Sequence, residues 1–194
     1  MEIKSNNFIN FLFEAATLKR LKRTGWQILG VNEESVAEHS FMVAVISYIL
    51  ANQLKADEKK VLLMALFHDL SETRTGDIYK LADLYVKTDD NKAIKDILNG
   101  LPNSKGLIKT INEYEKEETQ ESKIVHDADT LALCIELKQL MENGNVHAEE
   151  WFEANIESLR LDISRQLANQ LKKSDSQDWW KKEREILHKR MNRV

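Results

Sequence analysis

Apolar residues in this chain recur at every third or fourth position rather than every second, the spacing that places them on one face of an α-helix. The first predicted helix runs from about Asn7 to Arg23, with Phe8, Phe11, Leu12, Ala15, Leu18 and Leu21 on one face, and Gly25 ends it. Ser35 or an adjacent acidic residue starts a second, which passes through His39, Phe41, Val45 and Ile49 to about Leu54. Asp57 caps a third, whose run from Val61 to Phe67 is apolar all round, as expected for a helix surrounded by others. Residues 77–99 read as short helices with loops, the charged stretch Lys87 to Lys92 being a solvated turn. Pro102, between Gly100 and Gly106, marks a break. A helix over about Leu107 to Glu118 follows, and Thr119 caps a long one over Gln120 to Asn143 that Gly144 terminates. Amphipathic helices over about 148–172 and 177–191 close the chain.

The expectation is an all-α fold of eight to ten helices, formed as one domain by all 194 residues, with only one proline and six glycines to interrupt it. No apolar run approaches the ~20 residues that span a bilayer, so no membrane partner is expected. The formal net charge of -4 argues against a broad nucleic-acid surface. Cys134, the only cysteine, sits in an apolar helical pattern as a packing residue. With no internal disulfide and no secretion signal in Met1 to Asn7, a cytoplasmic location is expected.

Charge appears where this pattern does not predict it. His68 and Asp69 stand at the end of the apolar run, and burial of an unpaired carboxylate is costly enough that such groups are normally paired or bound to a metal. His39 is framed by Val36, Met42 and Val43, and Asp129 by Val125, Ala132 and Leu133, so both point inward; Asp127 falls on another flank and reads as exposed. Three helices thus bring His39, His68, Asp69 and Asp129 together. Two imidazoles with two carboxylates suit a divalent ion such as Mn, Co, Fe, Ni or Zn, with positions left for water and substrate. The alternative is four separately satisfied core residues.

The ordered set His39, His68-Asp69 and Asp129 resembles the HD-domain metal-dependent phosphohydrolases. The blocks Arg23-Thr24-Gly25-Trp26, Glu34 to Ser40, His68 to Glu72 and Gly76-Asp77-Ile78 are most similar to the 5'-deoxynucleotidase branch, over about residues 8–142. The resemblance implies hydrolysis of a small phosphorylated metabolite, most simply a deoxyribonucleoside 5'-monophosphate, and a homo-oligomer, in the first place a dimer. Only His126 lies between the His-Asp pair and Asp129, which favours one metal over two. The resemblance gives Glu72 a catalytic role, Asp77 a role in positioning the sugar or phosphate, and Glu113 a place at the substrate. Arg23 and Trp26 form a candidate substrate pair, a guanidinium for the phosphate and an indole beside base or sugar. The plainer readings are an exposed helix-end Glu72, an Asp77 that caps a helix from Ile78, a surface Arg23 and a core Trp26. Leu29 and Gly30 stand where the branch often carries an arginine, and Tyr79 and Lys80 where it carries a proline; both departures fall at substrate contacts. His126, His147 and His188 receive no role. The competing functions are a noncatalytic nucleotide-binding or interaction module with a structural metal, and an HD hydrolase of another nucleotide phosphate.

Overall fold

The computed structural model describes residues 6–31 and 34–191; of the stretch read above for a secretion signal, Met1 to Ser5 lie outside the described residues. Helix α1 (Asn6–Ala15) is shorter than predicted. Beyond Ala15 the backbone tightens into a 3-10 turn, Ala16–Lys19, and residues 20–23 leave the helix. The cause is pairing further along the chain: Lys22 bridges Ser35, and the Arg23 N–H donates to the Glu34 carbonyl (3.0 Å). A second 3-10 segment, Thr24–Leu29, stops at Gly30, whose φ of 77° lies in the left-handed region that glycine adopts without strain.

Reciprocal caps start the two longest helices. The Ser35 hydroxyl accepts the Glu38 N–H (3.2 Å) while the Glu38 carboxylate accepts the Ser35 N–H (2.7 Å), which opens α2 (Val36–Leu54). Asp57 caps α3 (Glu58–Phe67) through the Lys60 N–H (3.1 Å), as expected. The chain then turns through His68 to Ser71 before the single-turn α4 (Glu72–Thr75), so the run carrying the His-Asp pair is broken rather than continuous. Helix α5 (Asp90–Ile97) begins inside the charged stretch predicted as a turn, because Asp89 caps the Lys92 N–H (3.0 Å). Helix α6 (Ser104–Lys116) follows, then α7 (Gln120–Glu142) on its Thr119 cap.

The helix predicted over 148–172 is two, α8 (Ala148–Ser158) and α9 (Asp162–Lys173). Asp127 makes the break. Its carboxylate accepts the backbone N–H groups of Arg160 (2.9 Å) and Leu161 (2.8 Å), and the residue is fully buried, which corrects the expectation that it is exposed. Helix α10 (Lys181–Met191) completes ten α-helices, with no strand among the described residues.

The main core lies where α2, α3 and α7 meet, around Val43, Leu50, Val61, Met64, Ile124 and Leu131. Helix α3 is central as expected, although Leu66 remains half exposed. Trp26, Leu29, Cys134 and Phe152 form a smaller core against α7 and α8.

Candidate metal and substrate site

Helices α2, α3 and α7 direct His39, His68 and Asp129 at a common point, where their ligand atoms all lie within 4.8 Å of one another. His39 is fully buried, its Nε2 2.9 Å from Asp129 Oδ1. His68 follows the last residue of α3, and its Nδ1–H donates to the Ala65 carbonyl (2.9 Å). A carbonyl can only accept, so the neutral ring keeps its Nε2 lone pair for the cluster. The turn after His68 sets Asp69 Oδ2 3.1 Å from that nitrogen. Proximity here is not hydrogen bonding: both ring nitrogens of His39, His68 Nε2, Asp69 Oδ2 and Glu72 Oε2 are buried without a hydrogen-bond partner. Buried polar atoms nearly always have one. Imidazole nitrogens and carboxylate oxygens converging unpaired are a donor set that fits a divalent transition-metal ion.

Charge balance around this point is uneven. Arg23 reaches both Asp69 (Nη1 to Oδ2, 3.5 Å) and Asp77 (Nε to Oδ2, 3.6 Å). Burial favours neutral Asp69 and Asp129, but the neighbouring histidines and Arg23 outweigh it and hold both carboxyls below the usual range. Burial likewise works against a charged His68, and Asp69 overcomes it, pushing the ring up to about 9. Glu72 gains little such help: burial, reinforced by Asp69 and Asp77, pushes it up to about 10, so without a cation it holds a proton at neutral pH.

Asp77 caps no helix. After Gly76 (φ 76°) its Oδ1 accepts both the N–H (2.7 Å) and the hydroxyl (2.6 Å) of Thr24, which ties the Arg23–Trp26 segment to the end of α4. Trp26 is 4% exposed and its Nε1–H donates to Glu34 Oε2 (2.6 Å), while Glu34 Oε1 lies 3.7 Å from His39 Nδ1. It is therefore a core residue that also lines a cavity.

Two cavities meet at Arg23, Ile78, Lys80, Leu133 and Asn155. One, of about 620 Å³, is polar and contains His68, Asp69, Glu72 and Asp129. The other, of about 450 Å³, is mainly apolar, with Trp26, Ile28, Tyr79, Leu81 and Trp151 in its wall. Glu113, expected at the substrate, lines neither. It pairs with Lys60 of α3, because the turn of α6 that brings Tyr114 inward directs Glu113 to the α3 side. Leu29 is buried in the core and outside both cavities, whereas Tyr79 and Lys80 do face them.

Sequence reasoning passed over Tyr114, His126 and Arg160, all of which line the polar cavity. His126 stacks on Tyr114 with ring centroids 4.0 Å apart, and Arg160 pairs with Glu117. The signal for Tyr114 was its place on the apolar face of α6, which reads equally as packing.

An all-helical fold with this His/Asp cluster defines a class, and comparison gives its name. The profile of the HD domain family matches residues 15–173, and the chain belongs to that family. Relatives named 5'-deoxynucleotidase include two at about 30% identity. That of Danio rerio is 30% identical over 71% of this chain and 71% of its own. That of Dictyostelium discoideum is 31% identical over 68% of this chain and 76% of its own. Among solved structures, a conserved hypothetical protein from Pyrococcus furiosus superposes with a TM-score of 0.75 at 33% identity, covering 86% of this chain and 99% of that one.

Proposed function

We propose that this chain is a divalent-metal-dependent 5'-deoxynucleotidase, converting deoxyribonucleoside 5'-monophosphates to deoxynucleoside and phosphate. The observation that carries it is the convergence of His39, His68 and Asp129 beside Asp69 and Arg23, at the junction of a polar and an apolar cavity. The names of the relatives support the substrate class.

In this reading His39, His68, Asp69 and Asp129 hold one ion, drawn from Mn, Co, Fe, Ni and Zn. Such an ion supplies Lewis acidity and brings the pKa of water near neutrality. Arg23, steadied between Asp69 and Asp77, presents its guanidinium to the phosphate, for which its planar fork is suited. Glu72 takes up or gives back a proton at its unpaired Oε2. Asp77 acts through Thr24 and Arg23, fixing the segment that meets the phosphate. The apolar cavity receives the deoxynucleoside against Trp26, whose N–H is already committed to Glu34, so that the ring offers packing surface only. A homodimer remains part of the reading, supported by the exposed stripe Phe41, Val45, Tyr48 and Ile49 on α2.

The test is phosphate release by metal-stripped protein supplied with deoxyribonucleoside and ribonucleoside monophosphates and each metal in turn. Metal-dependent release is expected, strongest for the deoxynucleotides and abolished in Asp69→Ala and Glu72→Ala variants of unchanged helical content. Release that survives both substitutions, or no release with any metal, ends the reading.

A further inference from the structure

The polar cavity contains a buried phenol whose hydrogen-bond donor the described residues do not use. Tyr114 is 7% exposed and its ring is held from two sides. His68 meets it edge-on, with centroids 5.5 Å apart and planes at 69°, and His126 stacks on it at 4.0 Å and 7°. His126 is fixed in turn, because its Nε2–H donates to the Tyr114 carbonyl (3.0 Å). The ring therefore cannot swing without disturbing both imidazoles.

A buried tyrosine usually finds a partner for its hydroxyl. Among the described residues no hydrogen bond to the Tyr114 hydroxyl forms, and the oxygen is not sealed off among the shielded unpaired atoms. The residue lines the cavity together with Arg23, Asp69, Glu72 and Asp129. Burial, reinforced by Asp129 and Asp69, holds the Tyr114 phenol well above its ordinary range, so it is a donor at neutral pH. In the reading above Asp69 and Asp129 are turned to the ion, and none of the carboxylates that line the cavity forms a hydrogen bond with the Tyr114 hydroxyl. An acceptor that enters the cavity therefore meets a free donor.

Resting on the phosphohydrolase reading above, we infer that Tyr114 is a substrate-binding residue whose hydroxyl donates to a non-bridging oxygen of the substrate's phosphoryl group, alongside Arg23. An anion entering the polar cavity meets a preset donor whose orientation is fixed before binding, so little ordering entropy is spent on that contact. The deoxynucleoside portion, lodged in the apolar cavity, does not touch it, since Tyr114 lines only the polar one.

The variant is Tyr114→Phe, which removes the hydroxyl and keeps the ring between its two histidines. Manganese-loaded wild type and variant are titrated with inorganic phosphate and, separately, with a deoxynucleoside, and metal affinity is measured on both. Loss of a hydrogen bond to a charged acceptor weakens phosphate binding about tenfold to a hundredfold. Deoxynucleoside and metal affinities are expected to stay as in wild type. Equal phosphate affinity in the two proteins, or failure of wild type to bind phosphate, overturns the inference. So does a parallel loss of metal affinity, which would show Tyr114 acting by supporting His68. These titrations need no turnover, so a failure of the deoxynucleotidase reading in the release assay is seen separately.

Discussion

Loading the metal-free protein with a divalent cation releases protons, and two side chains contribute to the number beside any lost by water on the ion. Without a cation His68 titrates at about 9 and Glu72 at about 10. Near pH 7.5 both are almost fully protonated, and a cation that needs a neutral imidazole beside an ionised carboxylate displaces roughly two protons. Both groups are raised from unfolded values of 6.5 and 4.5. Their protonation thus stabilises the metal-free fold fully below those values, and the contribution is lost as pH rises through about 9 for His68 and about 10 for Glu72. The metal-free fold weakens from neutral to alkaline pH while metal affinity rises, about tenfold per pH unit for each proton released. Calorimetric titration in two buffers of different ionisation heat, at one pH, counts the protons directly. Glu72→Gln removes one of the two groups, and the count is expected to fall by roughly one. A wild-type count below about half a proton, or an unchanged count in Glu72→Gln, refutes the assignment of these groups to the ion's surroundings.

The remaining predictions concern residues away from the reacting groups. Asp127→Ala strips the Arg160 and Leu161 N–H groups of their charged acceptor, and urea denaturation is expected to show a loss of about 3 kcal/mol or more. A loss under about 1 kcal/mol would mean that the α8–α9 turn holds by other means. Glu113→Ala is expected to leave phosphate release unchanged and to cost less than about 1 kcal/mol, since it breaks a partly exposed pair with Lys60. A collapse of activity in that variant would return Glu113 to the substrate site.

Local signals carried much of the fold. Ser35, Asp57 and Thr119 each cap the helix they were expected to start, because a cap is a contact between residues three apart and is readable from the sequence. The inward direction of His39, His68 and Asp129 was readable for a similar reason, through apolar neighbours one helical turn away. What escaped was decided by chain arriving from a distance. Helix α1 stops early because Ser35 and Glu34 come back to pair with Lys22 and Arg23. Asp127 has mixed neighbours on its own helix, and its burial depends on a turn 33 residues downstream. Glu113 and Tyr114 are adjacent, yet one meets Lys60 and the other the cavity, a choice fixed by how α6 rests on α3 and α7. The break after His68 was hidden within a helical pattern, and it is this turn that places Asp69 beside the ring it follows.

The wide spacing of the cluster along the chain gives it a second character. His39, His68 and Asp129 mark off loops of 29 and 61 residues, and the helices that carry them are the ones that build the main core. A cation gripped by all three would staple those loops shut, much as disulfides do in secreted domains, and the entropy withheld from the unfolded chain grows with the logarithm of loop length. With Cys134 as its only cysteine, the chain cannot form such a covalent staple within itself. The same ion would then be both reagent and clasp, and its supply would govern how long the protein lasts as well as how fast it works.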